Sequence, residues 1–322
     1  MKNGKLNLKD KMKQLHQHED FKYFIQEASK QVGLGEFVIE KDYWVTYLLK
    51  NLAKSIFADE IVFKGGTCLA KAYDLIERFS EDIDLLIIET EQTKSKTQKE
   101  KRLKALRKFA STLEFLSYKP IKNDRSTLHG AFHYEFPTTI ASFSNAIGKE
   151  ILLEPGYRGG IYPEIEKKFI TSYVEKLVHL KLNDYDTKPF LINVLSLERI
   201  FVEKLFALKE IYDKDNGKTL VNKTRHYYDI YELLKSSEIQ LLLENKEKLN
   251  LIVNDINQIG QKYFSLKPIY LSELLNHIAI NPDDTFFKSL KKGYTNDKEL
   301  YKNPLAFDEI IEKMKVEIVK LK

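Results

Sequence analysis

The sequence predicts an α+β fold, a small mixed sheet embraced by helices, with a mainly helical C-terminal region. Three observations carry this. Apolar residues recur near a 3.6 period before residue 57, short β-rich runs and turns alternate between 58 and 195, and helical spacing resumes from 196. The changes of period divide the chain into an N-terminal helical segment at 1–57, a core at 58–195 and a helical region at 196–322 expected to complete the site. No Pro/Gly-rich linker marks the second border.

Taken in order, F-V-I-E-K-D-Y-W-V-T-Y-L-L-K-N-L-A-K-S-I-F places apolar side chains at 38, 39, 45, 48, 49, 52 and 56, the stripe of a packed helix. Within it Glu40, Lys41, Asp42 and Tyr43 cluster polar groups, either as helix-surface charges or as groups reaching a site. I-V-F then reads as a strand stopped by Gly65-Gly66, and T-C-L-A-K-A-Y-D-L-I-E as a helix with Thr67 as its N-cap. D-I-D-L-L-I-I returns to strand character. Residues 91 to 115 carry a basic helix with one apolar stripe of Leu103, Leu106, Phe109 and Leu113. L-H-G-A-F-H-Y-E-F-P alternates as a strand does, and K-E-I-L-L-E-P-G-Y-R-G-G ends in a turn cluster. S-L-E-R-I-F-V-E-K-L-F-A-L-K-E-I-Y opens the C-terminal helices with Ser196 as cap, and K-T-R-H-Y-Y-D-I-Y-E-L-L starts the next one. The chain shows no internal repeat.

Composition narrows the function classes. The 322 residues are 43% hydrophobic and 12% aromatic, enough for a substantial core, and the 31% charged residues are spread along the chain rather than gathered in a tail. A lone cysteine, Cys68, cannot form an intramolecular disulfide. The N-terminus lacks the apolar stretch of a signal peptide, and no run approaches the ~18 apolar residues of a membrane helix. The expectation is a cytoplasmic protein without membrane contact. A net charge of +5 is compatible with a nucleic-acid partner without demanding one. The seven histidines show no metal spacing, His16 and His18 falling on different helix faces, so a zinc site is not expected. Nucleophilic hydrolase chemistry finds no signature either.

The chemically informative stretch is I-V-F-K-G-G-T-C-L-A-K-A-Y-D-L-I-E-R-F-S-E-D-I-D-L-L-I-I. Strand alternation puts Asp82 and Asp84 on one face while Ile83 and Leu85 point the other way. Two such close carboxylates repel and raise each other's pKa unless a cation sits between them, and oxygen-only ligation suits Mg²⁺ or Mn²⁺. Upstream, a strand, a glycine pair and a helix start together expose backbone N–H groups toward an anion. The alternative is a solvated surface strand after an ordinary glycine turn; the apolar alternate positions and the following L-L-I-I favour a site.

F-K-G-G-T-C-L-A-K-A-Y followed by R-F-S-E-D-I-D-L resembles the signature of the AbiEii/AbiGii toxin nucleotidyltransferases, a branch of the DNA polymerase β-like superfamily that includes the MenT toxins. V-I-E-K-D-Y-W-V-T-Y-L-L, S-L-E-R-I-F-V-E-K-L-F-A-L and R-H-Y-Y-D-I-Y-E-L-L match further segments of that family in the same order, so the likeness spans residues 37 to 235. The resemblance implies a polymerase β-like nucleotidyltransferase core and transfer of a nucleoside monophosphate from an NTP to an acceptor. It further implies a tRNA 3′ end as acceptor and a toxin role beside an antitoxin. On this chain it sets Gly65, Gly66 and Ser80 against the triphosphate, with Lys64, Thr67 and Lys204 completing the nucleotide set. Asp82 and Asp84 are then metal ligands, and Lys204 and Asp229 match the family's functional lysine and later aspartate. Superfamily members carry a third carboxylate on a later strand, a metal ligand and possible base; Glu154 is the first candidate for that role and Glu150 the second. A modified small molecule, a modified protein hydroxyl and a non-catalytic nucleotide-binding protein are the rival readings.

Several positions keep two readings. Lys64 and Arg78 either contact phosphate or pair with acids such as Glu81 or Asp74. Arg225, His226 and Asp229 lie within about one helical turn, where Asp229 either orients Arg225 or makes a structural ion pair. Without the resemblance, Lys204 reads as an exposed helix lysine. The basic helix, with Lys101, Arg102, Lys104, Arg107 and Lys108, is either a solvated face or an RNA-contacting surface.

Overall fold

In a computed structural model that describes residues 12–80, 82–119, 128–140, 148–178, 182–297 and 301–321, the chain is built on a seven-stranded mixed sheet. In chain order come α1 (Phe21–Val32), α2 (Glu36–Ala53), β1 (Ile61–Lys64), α3 (Gly65–Lys71), β2 (Asp82–Ile87), α4 (Lys96–Ala110), β3 (Ser117–Lys119), β4 (Phe132–Glu135) and β5 (Glu150–Gly156). Then follow β6 (Ile165–Ile170), α5 (Tyr173–Val178), β7 (Phe190–Leu195) and α6 (Leu197–Asp215). Helices α7 (Arg225–Leu233), α8 (Ser237–Glu244), α9 (Lys246–Phe264), α10 (Leu271–Asn276), α11 (Asp284–Asn296) and α12 (Phe307–Val319) complete the chain. The expected α+β class, with a helical C-terminal region, is what forms.

The strand order is β3-β4-β5-β2-β1-β7-β6. β1 runs antiparallel to β2 and parallel to β7, and β2 runs parallel to β5. β1 is therefore central, and Ile61, Val62 and Phe63 are all fully buried. Burial of such side chains stabilises by about 1.5–3 kcal/mol each. Because Lys64 pairs with Asp84 across β1 and β2, and Asp84 with Glu154 across β2 and β5, these three residues form one row over the sheet.

Helix α2 is buried almost throughout, its Trp44 stacking near Phe136 at 6.1 Å between ring centroids. The polar cluster inside it is neither a solvent face nor part of the cleft described below. Glu40 accepts hydrogen bonds from Thr138 and Thr139, Lys41 donates to the Gly148 carbonyl at 2.7 Å, Asp42 binds Lys71 at 2.5 Å, and Tyr43 meets His16. These bonds tie α2 to the loops around it, since a buried polar group without a partner is costly.

One local expectation is corrected. Thr67 does not cap α3: the helix starts at Gly65, with Lys64 in the N-cap position, and Thr67 is buried inside it. Gly65 can begin the helix early because its φ of 77° lies in the left-handed region open to glycine. Ser196 does cap α6, accepting from the Arg199 N–H.

Candidate active site

The residues singled out above converge where β1 and β2 meet α6 and α7. A cleft of about 160 Å³ is lined by Gly65, Gly66, Ser80, Asp82, Asp84 and Lys204, with Lys64, Arg78, Arg225 and Asp229 also on its walls. Thr67 lies behind that lining: its hydroxyl is 2.5 Å from the Asp82 carbonyl oxygen and 2.9 Å from Ser80 Oγ, fastening the helix to the strand.

The glycines are there because of what touches them. A Cβ at Gly65 would collide with the Asp84 carboxylate, and one at Gly66 with the Arg78 guanidinium and Ser80 Oγ. The pair thus lets a helix start pass directly over an acidic strand.

Asp84 sits in an electrostatic conflict. Burial, then the neighbouring carboxylates of Glu154 and Asp82, push its pKa up to about 7, while Lys64 and Lys204 pull it back. Glu154 is likewise raised, by burial and by Asp82. Glu150, two residue pairs further along the same face, is held instead by His133 at 2.7 Å. The donor set fits a hard divalent cation: every donor is a carboxylate oxygen, and the raised proton affinity means that a positive charge is wanted there. Among the described residues no group of three or more His, Cys, Asp or Glu side chains already stands in metal-holding geometry.

The cations are arranged by one buried acid. Asp229, with its side chain fully buried, accepts from Arg78 Nε and Nη2 at 2.6 and 2.7 Å and from Lys204 Nζ at 2.6 Å. Burial alone would raise its pKa, but the guanidinium and the ammonium override it and hold Asp229 well below the usual carboxylate range. Lys204, read as exposed from its neighbours alone, is buried. Of the readings left open, Arg78 pairs with Asp229 and not with Asp74, whereas Glu81 lies outside the described residues. Asp229 does not orient Arg225, whose guanidinium instead lies 3.3 Å from Asp82. His226 is kept neutral by burial first and by nearby Lys204, and its Nδ1 has no hydrogen-bond partner.

Glu203 is the residue sequence reasoning passed over. It binds Lys64 at 2.6 Å and Arg199 at 3.1 Å. The only sequence signal was its i,i+4 spacing from Arg199 on α6.

The basic helix α4 stands apart from this cleft. Arg102 pairs with Glu60, Lys99 is buried against Glu89, Arg107 is half-buried with its guanidinium near the Phe132 ring, and Lys101, Lys104 and Lys108 are exposed. Glu60 precedes β1 and hydrogen-bonds Ile88 at the far end of β2, roughly 20 Å of extended chain from Asp82.

A family model described as "Nucleotidyl transferase AbiEii toxin, Type IV TA system" matches residues 47–313. The chain belongs to that family. The AbiEii match runs past residue 235 into the C-terminal helices, a stretch in which sequence motifs gave no chemistry. Among solved structures, MenT4, a nucleotidyltransferase toxin from Mycobacterium tuberculosis H37Rv, superposes with a TM-score of 0.59 at 15% identity, over 92% of this chain and 90% of that one. The AbiEii chain therefore shares the MenT4 fold. No curated protein matches it. Among the described residues, no helix of this AbiEii protein is long and apolar enough to cross a membrane.

Proposed function

We propose that this AbiEii-family chain transfers a nucleoside monophosphate from a nucleoside triphosphate to a hydroxyl of an RNA acceptor, the 3′ end of a tRNA, with release of pyrophosphate. One observation carries the reading: the Lys64–Asp84–Glu154 row lies beside Asp82, under a glycine-pair helix start, and faces the Asp229-organised Lys204.

In this reading Gly65, Gly66 and Ser80 line the path of the triphosphate, and Lys204 and Arg225 offset its charge. Mg²⁺ or Mn²⁺, when bound, neutralises phosphate charge and lends Lewis acidity, and Asp82 and Asp84 are the residues that would hold it. The acceptor oxygen forms a bond to the α-phosphorus as the bond to the bridging oxygen of pyrophosphate breaks. Glu154, with its raised proton affinity, takes the acceptor proton. Thr67 acts from behind, by fixing Ser80 and Asp82. Exposed Lys101, Lys104 and Lys108 would meet the body of a long acceptor rather than its reacting end. Arg107, half-buried beside Phe132, and Arg102, paired with Glu60, contribute positive field to the same helix.

The biological setting of this reading is a cytoplasmic toxin restrained by an antitoxin protein, acting in phage abortive infection. Incubation with each labelled NTP, Mg²⁺ and total RNA is the direct test. Label entering tRNA is expected. Label appearing only on protein or on a small molecule would replace the acceptor, and NTP binding without any transfer would remove the catalytic claim.

A further inference from the structure

Beside the carboxylate cleft, between α6 and α9, lies a second and roomier space, a groove of about 760 Å³. That volume is in the range of roughly 300–1,000 Å³ typical of small-molecule sites. Lys64, Glu203 and Ala207 line both spaces, so the groove adjoins the cleft. We propose that it seats the nucleoside half of the incoming nucleoside triphosphate, whose phosphates run into the cleft. This rests on the nucleotidyl-transfer reading of that cleft.

The walls suit a flat ring system with a polar edge. Phe206, Ile256, Leu266 and Pro268 supply apolar surface, and charged side chains on the lining include the pairs of Arg158 with Glu210, Lys209 with Asp213 and Lys64 with Glu203. Asn257, which also lines the groove, has its amide tied at both ends to Ile269. Arg199 is fully buried in the wall; its Nε is bound by Glu203 and its Nη1 by Asp255 and the Tyr162 carbonyl. Its Nη2 alone has no partner. A buried donor left unpaired costs about 1–3 kcal/mol, and Arg199 carries that cost in the groove wall.

The position selects a nucleoside over an acceptor strand. The groove meets the sheet at Lys64, two strands from Glu154 in the row described above. A hydroxyl to be deprotonated must stand by Glu154, which leaves the Lys64 side for the donor nucleotide. Lys64 is also the residue immediately before the glycine pair, so a ligand in the groove is one residue from the phosphate path.

The test is a calorimetric titration of the full chain in Mg²⁺ with each NTP, with inorganic tripolyphosphate and with total tRNA, in the wild type and in Leu266→Trp and Ile256→Trp. Both substitutions fill the groove and neither residue lines the cleft. The expected result is NTP binding weakened at least about tenfold, with tripolyphosphate affinity unchanged. Unchanged NTP affinity in both variants overturns the proposal, as does equal weakening of the two ligands. So does loss of RNA binding at constant NTP affinity, which would give the groove to the acceptor. A wild type that binds neither ligand overturns the reading of the cleft itself, and this inference with it.

Discussion

Asp84 and Glu154 are direct partners in the parallel pairing of β2 and β5, and after burial the Glu154 carboxylate is what makes Asp84 harder to ionise. The pairing separates Glu154 from its rival Glu150, whose carboxylate is bound by His133. Glu154→Gln should therefore lower single-turnover nucleotidyl transfer by about 10²-fold or more. Glu150→Gln should stay within a few-fold of the wild type. A reversed order in the same assay would move the third carboxylate to Glu150.

The raised Asp84 pKa has a signed consequence for stability. A carboxyl that is harder to ionise when folded favours folding while protonated, and that contribution is lost as pH rises through its folded value of about 7. Asp84→Asn removes the conflict. In the absence of divalent ions the variant should melt higher than the wild type at pH 8, with a gain that grows between about pH 4 and the folded value and is flat above it. The same variant should be inactive. Melting curves across pH with chelator present measure the first claim and labelled-NTP transfer the second.

Asp229 is the converse case, an acid whose pKa is depressed, so its contribution is present above the ordinary carboxylate range and lost in acid. Asp229→Asn leaves Arg78 and Lys204 buried without a common counter-ion. Breaking such a cluster costs about 3–5 kcal/mol, and denaturant unfolding should register a loss of that order. If stability is unaltered, the cluster does not organise the site.

Gly65→Ala is predicted to abolish transfer with the fold retained. The new methyl would stand against the Asp84 carboxylate in a backbone conformation that costs a non-glycine residue about 1–3 kcal/mol. Full activity with an unchanged circular dichroism spectrum would contradict the close approach.

Charge reversal of Lys101, Lys104 and Lys108 should weaken RNA affinity, flatten the slope of log K against log salt, and leave NTP affinity alone. Each lost phosphate contact changes that slope by about 0.7–0.9. An unchanged slope would return α4 to an ordinary solvated helix.

What could be read from the sequence followed from locality. The period-2 placement of Asp82 and Asp84 within an apolar run, and the glycine pair one helix upstream, report on residues a few positions apart, and the fold carries them as expected. The C-terminal helices were legible for the same reason. Lys204 was not, because its burial is made by Asp229 on another helix, and Arg78 finds that same acid 151 positions away. The α2 cluster misled for a like reason: Glu40 and Lys41 have their partners 98 and 107 positions distant. Thr67 failed as a cap because local cap preference does not foresee a glycine able to start the helix two residues earlier.

The dependence on Asp229 also orders events during synthesis. Asp82, Asp84 and Glu154 leave the ribosome well before Lys204 and Arg225, and Asp229 follows all of them. Until it does, Arg78 and Lys204 have no common anion to gather them. A growing or prematurely terminated polypeptide thus carries the acidic face without an ordered set of cations opposite it.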